Sequence, residues 1–168
     1  KGYNVGVFDT FWYGDNFGNL GNGKLNKIAG DIRNKKALVN AGKGADAIIH
    51  LACISNDPSF DLNPALGKSI NYDGFFNVLD CAKENNVKRF IYASSSSVYG
   101  VKEEKDVTED SSPEPLTDYS KFKLECERLL EEADKDFESV ILRPATVCGY
   151  SPRLRLDLTV NILTMRAL

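Results

Sequence analysis

Tyr119 and Lys123 stand four residues apart within a stretch, 117–133, that carries helical spacing. That interval puts both side chains on one helix face, about one turn from each other. A lysine ammonium beside a phenol stabilises the phenolate and draws its pKa below the ordinary value of about 10. A tyrosine tuned in this way can exchange a proton with a substrate hydroxyl near neutral pH. Upstream, Ser94, Ser95, Ser96 and Ser97 close the apolar run 89–93. One of these hydroxyls, set opposite the tyrosine, would share the substrate proton. Taken singly, a Tyr/Lys pair on a helix surface and a serine turn at a strand end are both ordinary features.

The elements that must position these groups alternate between strand and helix. Residues 5–8 form a short apolar strand, and 16–23 a Gly/Asn-rich loop. Residues 25–31 read as a second strand, and 45–52 as an apolar strand suited to a sheet covered on both faces. Helical spacing runs through Leu62, Leu66, Ile70, Phe75, Phe76, Leu79 and Ala82, over residues 62–86. The strand 89–93, an acidic loop over 101–115, the helix 117–133 and a last strand at 139–143 follow. Residues 156–168 read as an amphipathic helix without a stop signal. This alternation predicts an α/β fold of parallel βαβ units.

In open α/β sheets, ligands bind beyond the carboxyl ends of the strands, so the residues there are the candidates. Asp9 closes the first strand; its carboxylate suits the two hydroxyls of an adenosine ribose and would repel a 2′-phosphate, although a turn aspartate is the plainer alternative. Asp31 follows Gly30 at the second strand end and could accept from an adenine amino group, with Ile32 packed on the ring; a simple Gly-Asp turn explains the pair equally well. Leu51 and Ala52 end the third strand, where small residues let a pyrophosphate approach the backbone. His50, inside that apolar run, reads as a core histidine rather than a catalyst.

The 168 residues carry 21 basic and 24 acidic side chains, a net charge of −3, with 42% hydrophobic residues. That is the size of one domain with a proper core. The absence of a basic cluster argues against nucleic-acid and membrane-surface partners. No apolar run approaches the roughly 18–20 residues that span a bilayer, and the first residues read as a strand rather than a signal peptide. Cys53, Cys81, Cys126 and Cys148 have no metal-binding spacing and, with one histidine in the chain, predict no metal site. They read as buried, reduced thiols, which fits a cytoplasmic protein.

Together, these residues resemble the extended short-chain dehydrogenase/reductase family, and within it the NAD-dependent nucleotide-sugar epimerases and dehydratases. The matching segments are Val7-Phe8-Asp9, Gly30-Asp31-Ile32, His50-Leu51-Ala52, Asn71-Tyr72-Asp73-Gly74 with Asn77, the serines running into Val98-Tyr99-Gly100, Tyr119 to Lys123, and Leu142-Arg143-Pro144 through Gly149. Ser95 and Tyr119 are 24 residues apart, a family-like interval.

The resemblance implies a Rossmann-type parallel sheet with helices on both faces and NAD as cofactor. It implies NAD contacts from Asp9, Thr10, Asp31, Ile32, Leu51, Ala52, Ala93, Ser94, Tyr119 and Lys123. Ser95, Tyr119 and Lys123 would be catalytic, with Tyr119 as general base. Ser95, Thr146 and Asn161 would contact the nucleotide sugar, and the helices containing Asn71 and Tyr119 would pair in a homodimer. Residues 1–150 would be a partial NAD-binding domain, and 151–168 the start of a substrate-binding region.

Two departures bear on the activity. A dehydratase of this family usually carries Asp-Glu directly after the catalytic hydroxyl residue, where this chain has Ser96 and Ser97. That disfavours water elimination and leaves epimerisation leading, with a reductase open; Asp9 argues against the usual NADPH form. The family's first strand and glycine-rich phosphate loop would precede Asp9 by roughly twenty residues, and this chain does not contain them. The chain thus reads as part of a longer epimerase, inactive by itself, rather than as a non-catalytic NAD-site remnant or partner-binding module, because the serine, tyrosine and lysine are all retained. Substrate choice would rest on later residues and on the loop 55–60, with uridine-diphosphate sugars as the expectation.

Overall fold

A computed structural model describes residues 2–17, 25–55, 57–133, 135–156 and 158–167. In chain order these are β1 (Val5–Asp9), β2 (Leu25–Ala29), α1 (Lys35–Ala41), β3 (Ala47–His50), α2 (Asp57–Leu62), α3 (Pro64–Lys68), α4 (Gly74–Glu84), β4 (Arg89–Ala93), α5 (Asp118–Glu132), β5 (Glu138–Leu142) and α6 (Thr159–Ala167). A π-helical turn, Ser69–Asp73, joins α3 to α4, and a 3-10 turn, Ser96–Tyr99, follows β4.

Every strand pairing is parallel. β1 lies beside β2 with Asp9 opposite Ala29, and β4 lies between β3 and β5, with Tyr92 opposite His50 on one side and Ile141 on the other. Two sheets result, one of two strands and one of three. The connection is helical: α1 packs on α4, and Phe8 of β1 reaches the same core.

That core lies on one face of the three-stranded sheet. Ile48, Phe90, Tyr92 and Ile141 point into it from the strands, Leu38 from α1, Phe75, Val78, Leu79 and Ala82 from α4, and Cys126 and Leu130 from α5. The alternate strand positions face outward: Ile49 is 62% exposed, and Leu51 beyond it 67%. Residues 45–52 were expected to be covered on both faces; among the described residues the helices α1, α4 and α5 cover one, so the run buries with period two.

Other expectations shift at their edges. The strand expected at 25–31 stops at Ala29, because Gly30 donates to the Asp9 carbonyl and Asp31 turns back to accept from Arg33 N. The run 62–86 is a continuous helical path interrupted by the π turn. Sequence periodicity missed α1, started by Asn34 capping Ala37 N at 3.1 Å, and α2, which occupies part of the expected 55–60 loop. Of the loop at 16–23, residues 18–23 lie outside the described residues, as do residues 157 and 168 of the expected last helix, whose described part is helical over Thr159–Ala167. Cys81 and Cys126 are buried, but Cys53 is half-buried and Cys148 exposed, because the segment after β5 lies on the surface. All four are free thiols.

Phe75 is fully buried, with its ring against His50, Phe90 and Tyr92 at 5.1–6.0 Å between centroids. It joins the helical layer to the sheet directly beneath the strand ends. Phe75→Ala is expected to lower stability by about 3–5 kcal/mol, read as the shift in denaturant midpoint at unchanged slope.

Candidate active site at the strand ends

The helix carrying Tyr119 starts abruptly. Thr117 Oγ1 accepts from Ser120 N at 3.2 Å, and Ser120 Oγ accepts from Thr117 N at 3.1 Å, a reciprocal capping box. Tyr119 therefore sits in the first turn of α5, at its positive end. It is buried, as is Lys123 one turn later.

The Lys123 ammonium donates to the Ala93 carbonyl at 2.6 Å, at the end of β4. It lies 5.0 Å from the Tyr92 ring centroid and 5.8 Å from that of Tyr119. The structure thus brings Tyr119, Lys123 and the last residue of β4 together.

Beyond Ala93 the chain stays parallel to the segment after β5: Ser94 N donates to Leu142 O at 2.8 Å and Ser96 N to Pro144 O at 3.0 Å. Ser95 is extended and caps the 3-10 turn. Its Oγ accepts from Ser97 N at 3.2 Å and from Ser97 Oγ at 2.9 Å. With both lone pairs engaged, the hydroxyl's remaining capacity is as a donor. Gly100 ends this turn at φ 69°, where a Cβ would collide with the Glu114 carbonyl oxygen. Glycine is required there both for the dihedral and for the close return of the 101–115 loop.

The other predicted residues occupy distinct settings. Asp9 is exposed at the end of β1, and its Oδ1 accepts from Phe11 N at 2.6 Å, in an Asx turn that puts Phe11 at φ 51°. Thr10 is exposed beside it. Asp31 is at the adjacent strand end, but Arg33 donates to both its oxygens, from Nε at 3.0 Å and from NH2 at 2.5 Å. Those bonds hold its carboxyl below the usual range.

Ile32 is buried against Gly74 and the core, not presented at the surface. Leu51 is exposed, and Ala52 half-buried. Ser94 is buried, and its hydroxyl donates inward to Glu127. Thr146 is exposed. Asn161 is tied to the preceding loop, accepting from Gly149 N at 3.2 Å and donating to Arg155 O at 2.9 Å.

Asn71 and Arg143 stood out in the sequence only as parts of matching segments, and three sets of contacts here went unread. Asn71, in the π turn, accepts from Ile54 N at 2.7 Å and returns a bond to Ile54 O at 3.0 Å, pinning the loop after β3. Buried Glu127 and half-buried Arg143 form an ion pair beside the serine turn. The segment after β5 crosses the strand ends: the Arg153 guanidinium stacks 3.3 Å from the centre of the Tyr13 ring, and Arg155 donates to Ser55 Oγ at 3.1 Å. Glu127 had a signal in the sequence, the eight-residue interval from Tyr119 that returns to the same helix face.

The arrangement sets the Tyr119 ring beside the Lys123 ammonium at the end of β4, and Ser95 opens the turn that follows that strand. The pattern of the NAD dependent epimerase/dehydratase family matches residues 1–166. The chain belongs to this family. Among curated relatives, the N-acetyl-alpha-D-glucosaminyl-diphospho-ditrans,octacis-undecaprenol 4-epimerase of Escherichia coli O157:H7 is 33% identical over 129 residues, covering 74% of this chain and 38% of that protein. The 3beta-hydroxysteroid-dehydrogenase/decarboxylase isoform 2 of Arabidopsis thaliana is 35% identical over 141 residues, covering 80% of this chain and 24% of that protein. The chain thus spans well under half the length of these relatives. The solved UDP-N-acetylglucosamine 4-epimerase of Methanobrevibacter ruminantium M1 superposes with a TM-score of 0.76 at 28% identity, over 83% of this chain and 46% of that one. These matches establish a Rossmann-type fold and NAD as the family's cofactor. Among the described residues no helix is long and apolar enough to cross a membrane.

The residues present fit a dinucleotide. Asp9 is exposed, with Oδ1 engaged by the Phe11 amide, and the small residues Ala52, just beyond β3, and Ala93, whose carbonyl holds Lys123, leave room at the neighbouring strand ends.

His50 gives this region a pH signature. It is buried, stacked 5.8 Å from Tyr92, and burial, helped by the Lys123 charge, lowers its pKa to about 3. The unfolded chain takes up that proton near pH 6.5 while the folded one does not, so this contribution to stability is complete above about 6.5 and is lost as pH falls towards 3. His50→Phe is expected to remove a slope of about 1.4 kcal/mol per pH unit within that window. Denaturant midpoints of both proteins against pH measure the difference.

Proposed function

We propose that the protein acts as an NAD-dependent epimerase of a nucleotide sugar, with Tyr119 as general base and Ser95 and Lys123 as its catalytic partners. The observation that carries the reading is the Lys123 ammonium, held between the Ala93 carbonyl and the Tyr119 ring at the end of β4. An ammonium at that position and the positive end of α5 both favour a phenolate at Tyr119, which can take the proton of a sugar hydroxyl. Ser95, with its lone pairs engaged by Ser97, donates to the oxygen on which charge develops.

NAD, when bound, supplies the reversible hydride acceptor. Asp9 and Thr10 would hold its adenosine ribose, with Asp31 and Ile32 near the adenine. Leu51 and Ala52 would line the pyrophosphate, and Ala93, Ser94, Tyr119 and Lys123 the nicotinamide ribose. Thr146 and Asn161 would border the sugar nucleotide; Asn161 does so by holding the 149–155 loop. Uridine-diphosphate sugars are the proposed substrate class, as for the archaeal 4-epimerase above.

Epimerisation is favoured over dehydration because elimination of water needs a second acid/base pair. Ser96 and Ser97 stand there, the first tied through its amide to Pro144 and the second through its hydroxyl to Ser95. A second reading, a one-way NAD-dependent dehydrogenase of a secondary alcohol, is favoured by the 35% identity to a steroid dehydrogenase/decarboxylase, since the same three residues would serve it. A non-catalytic NAD- or partner-binding role is the third, and it gains nothing from a buried lysine at the tyrosine.

The proposal includes a homodimer through the helices containing Asn71 and Tyr119. Their outer surface carries a Tyr72, Phe76 and Phe122 cluster at 5.3–5.4 Å between centroids, with Phe76 exposed. Residues 1–150 are assigned to the cofactor domain and 151–168 to the start of the substrate region. Free cysteines throughout support a reducing, cytoplasmic setting.

The experiment is a panel of uridine-diphosphate sugars with NAD, using the natural protein and Tyr119→Phe. Interconversion of C4 epimers is expected, with turnover reduced at least about 100-fold in the variant and NAD affinity retained. Unchanged turnover in Tyr119→Phe would sink the mechanism. Net accumulation of reduced cofactor would favour the dehydrogenase reading.

A further inference from the structure

Glu127 follows Lys123 by one turn and Tyr119 by two, on the same face of α5, and is 1% exposed. Its Oε1 accepts from the Ser94 hydroxyl. Both its oxygens are held by Arg143, through Nε at 3.1 and 3.2 Å and through NH2 at 2.7 Å. Arg143, directly after β5, also donates from NH1 to Tyr99 Oη at 2.8 Å and lies 5.0 Å over the Tyr99 ring. One ion pair thus ties together the end of β4, the serine turn, α5 and the end of β5. Burying such a pair seldom adds stability over an apolar replacement, so its presence invites a role in placement and field.

We propose that Glu127 and Arg143 are positioning residues: they lock the serine turn to the helix that carries Tyr119, and they keep the buried charge there balanced. A lone Glu127 carboxylate would stand roughly 6 Å along the helix from Lys123 and would compete with the Tyr119 phenolate for its ammonium. The guanidinium cancels that competition. This rests on the reading of Tyr119 as the base.

The other titratable groups packed around α5 leave the balance to this pair. Burial pushes the Tyr92 hydroxyl on β4 far upward, and His50 behind Lys123 is neutral. Burial raises the Cys126 thiol to about 12, and Cys53 lies beyond Tyr92. Tyr72 and Asp73 lie on the π turn, where Asp73 pairs with Lys68; Asp61 on α2 is exposed, and Glu138 on β5 pairs with Arg89 at the surface. Asp118, beside Tyr119, pairs with exposed Lys121. Among the described residues, the buried charges on this face of α5 are Lys123 and Glu127, and half-buried Arg143 is the partner bonded to Glu127.

The test uses the natural protein and two readouts: the pH profile of kcat with NAD and a uridine-diphosphate sugar, and the tyrosinate absorbance of each variant minus that of the same variant carrying Tyr119→Phe. Arg143→Met leaves Glu127 unmatched and is expected to move the Tyr119 titration and the acid limb of kcat up by about one pH unit. Glu127→Gln, which keeps the shape, leaves the guanidinium unmatched and is expected to move both down by a similar amount. The double variant is expected to return them to the starting position.

Midpoints that stay put, or that move the same way in both single variants, would make the pair mere scaffolding and overturn the proposal. Should Arg143→Met fail to fold, Arg143→Lys substitutes for it: the retained charge predicts an unmoved titration with lowered kcat, and an upward shift would overturn the balance. Full turnover in Tyr119→Phe would defeat the base reading alone, because the absorbance titration still reports what the pair does to Tyr119.

Discussion

A lysine ammonium that is 5% exposed must find partners, and the placement of Lys123 constrains everything around it. An unpartnered charge in such a position costs several kcal/mol, so the fold has to supply acceptors. It supplies the Ala93 carbonyl and the faces of Tyr92 and Tyr119. The carbonyl is available because β4 ends there and its neighbour β5 takes up the amide of Ser94 instead. One hydrogen bond therefore sets the depth of α5 against the sheet and brings the first turn of that helix to the strand end. Burial among aromatic rings keeps His50 neutral, and the Lys123 charge beside it acts in the same direction.

Helix α5 divides its surface between two tasks. Tyr119, Lys123 and Glu127 recur every four residues and face the strand ends, while Cys126 and Leu130 enter the aromatic core with Phe90 and Phe75. The two stripes are adjacent, so apolar burial holds the polar stripe in place without contributing to its chemistry. The capping box at Thr117 and Ser120 fixes where the helix begins. Tyr119 thereby stays in the first turn, where the helix dipole makes the local potential positive.

Much of this was legible in the sequence because it follows from period and spacing. Parallel strands ending at Asp9, at His50 two residues short of the expected Ala52, and just before the serines, and a helix with Tyr119 and Lys123 on one face, are patterns that local chemistry dictates. What escaped was set by tertiary contacts. Helix α1 spans only two turns, too short for an apolar period to repeat, and its strongest signal was the single cap at Asn34. The π turn at Ser69–Asp73 has no periodic signature, since one extra residue per turn merely shifts the apolar stripe. Ile49 and Leu51 looked like buried strand residues because the alternating positions of β3 are apolar on both faces, and composition cannot say which face a helix will cover. Arg143 showed no function until its distant partner Glu127 was in view.

The polar valences at the strand ends narrow what each candidate can do. Ser94 gives its only proton to Glu127, so toward a ligand it offers backbone alone. Asp31 has both oxygens on Arg33, and an adenine amino group could bind it only by sharing with, or displacing, that guanidinium. Asn161 spends its amide and its carbonyl on the 149–155 loop. Asp9 and Ser95 differ: the first is an exposed carboxylate with only Oδ1 engaged, by the Phe11 amide, and the second has an O–H left to give. An acceptor that can hold a diol and a donor that can meet a developing negative oxygen are complementary to the two ends of a dinucleotide-dependent oxidation of an alcohol.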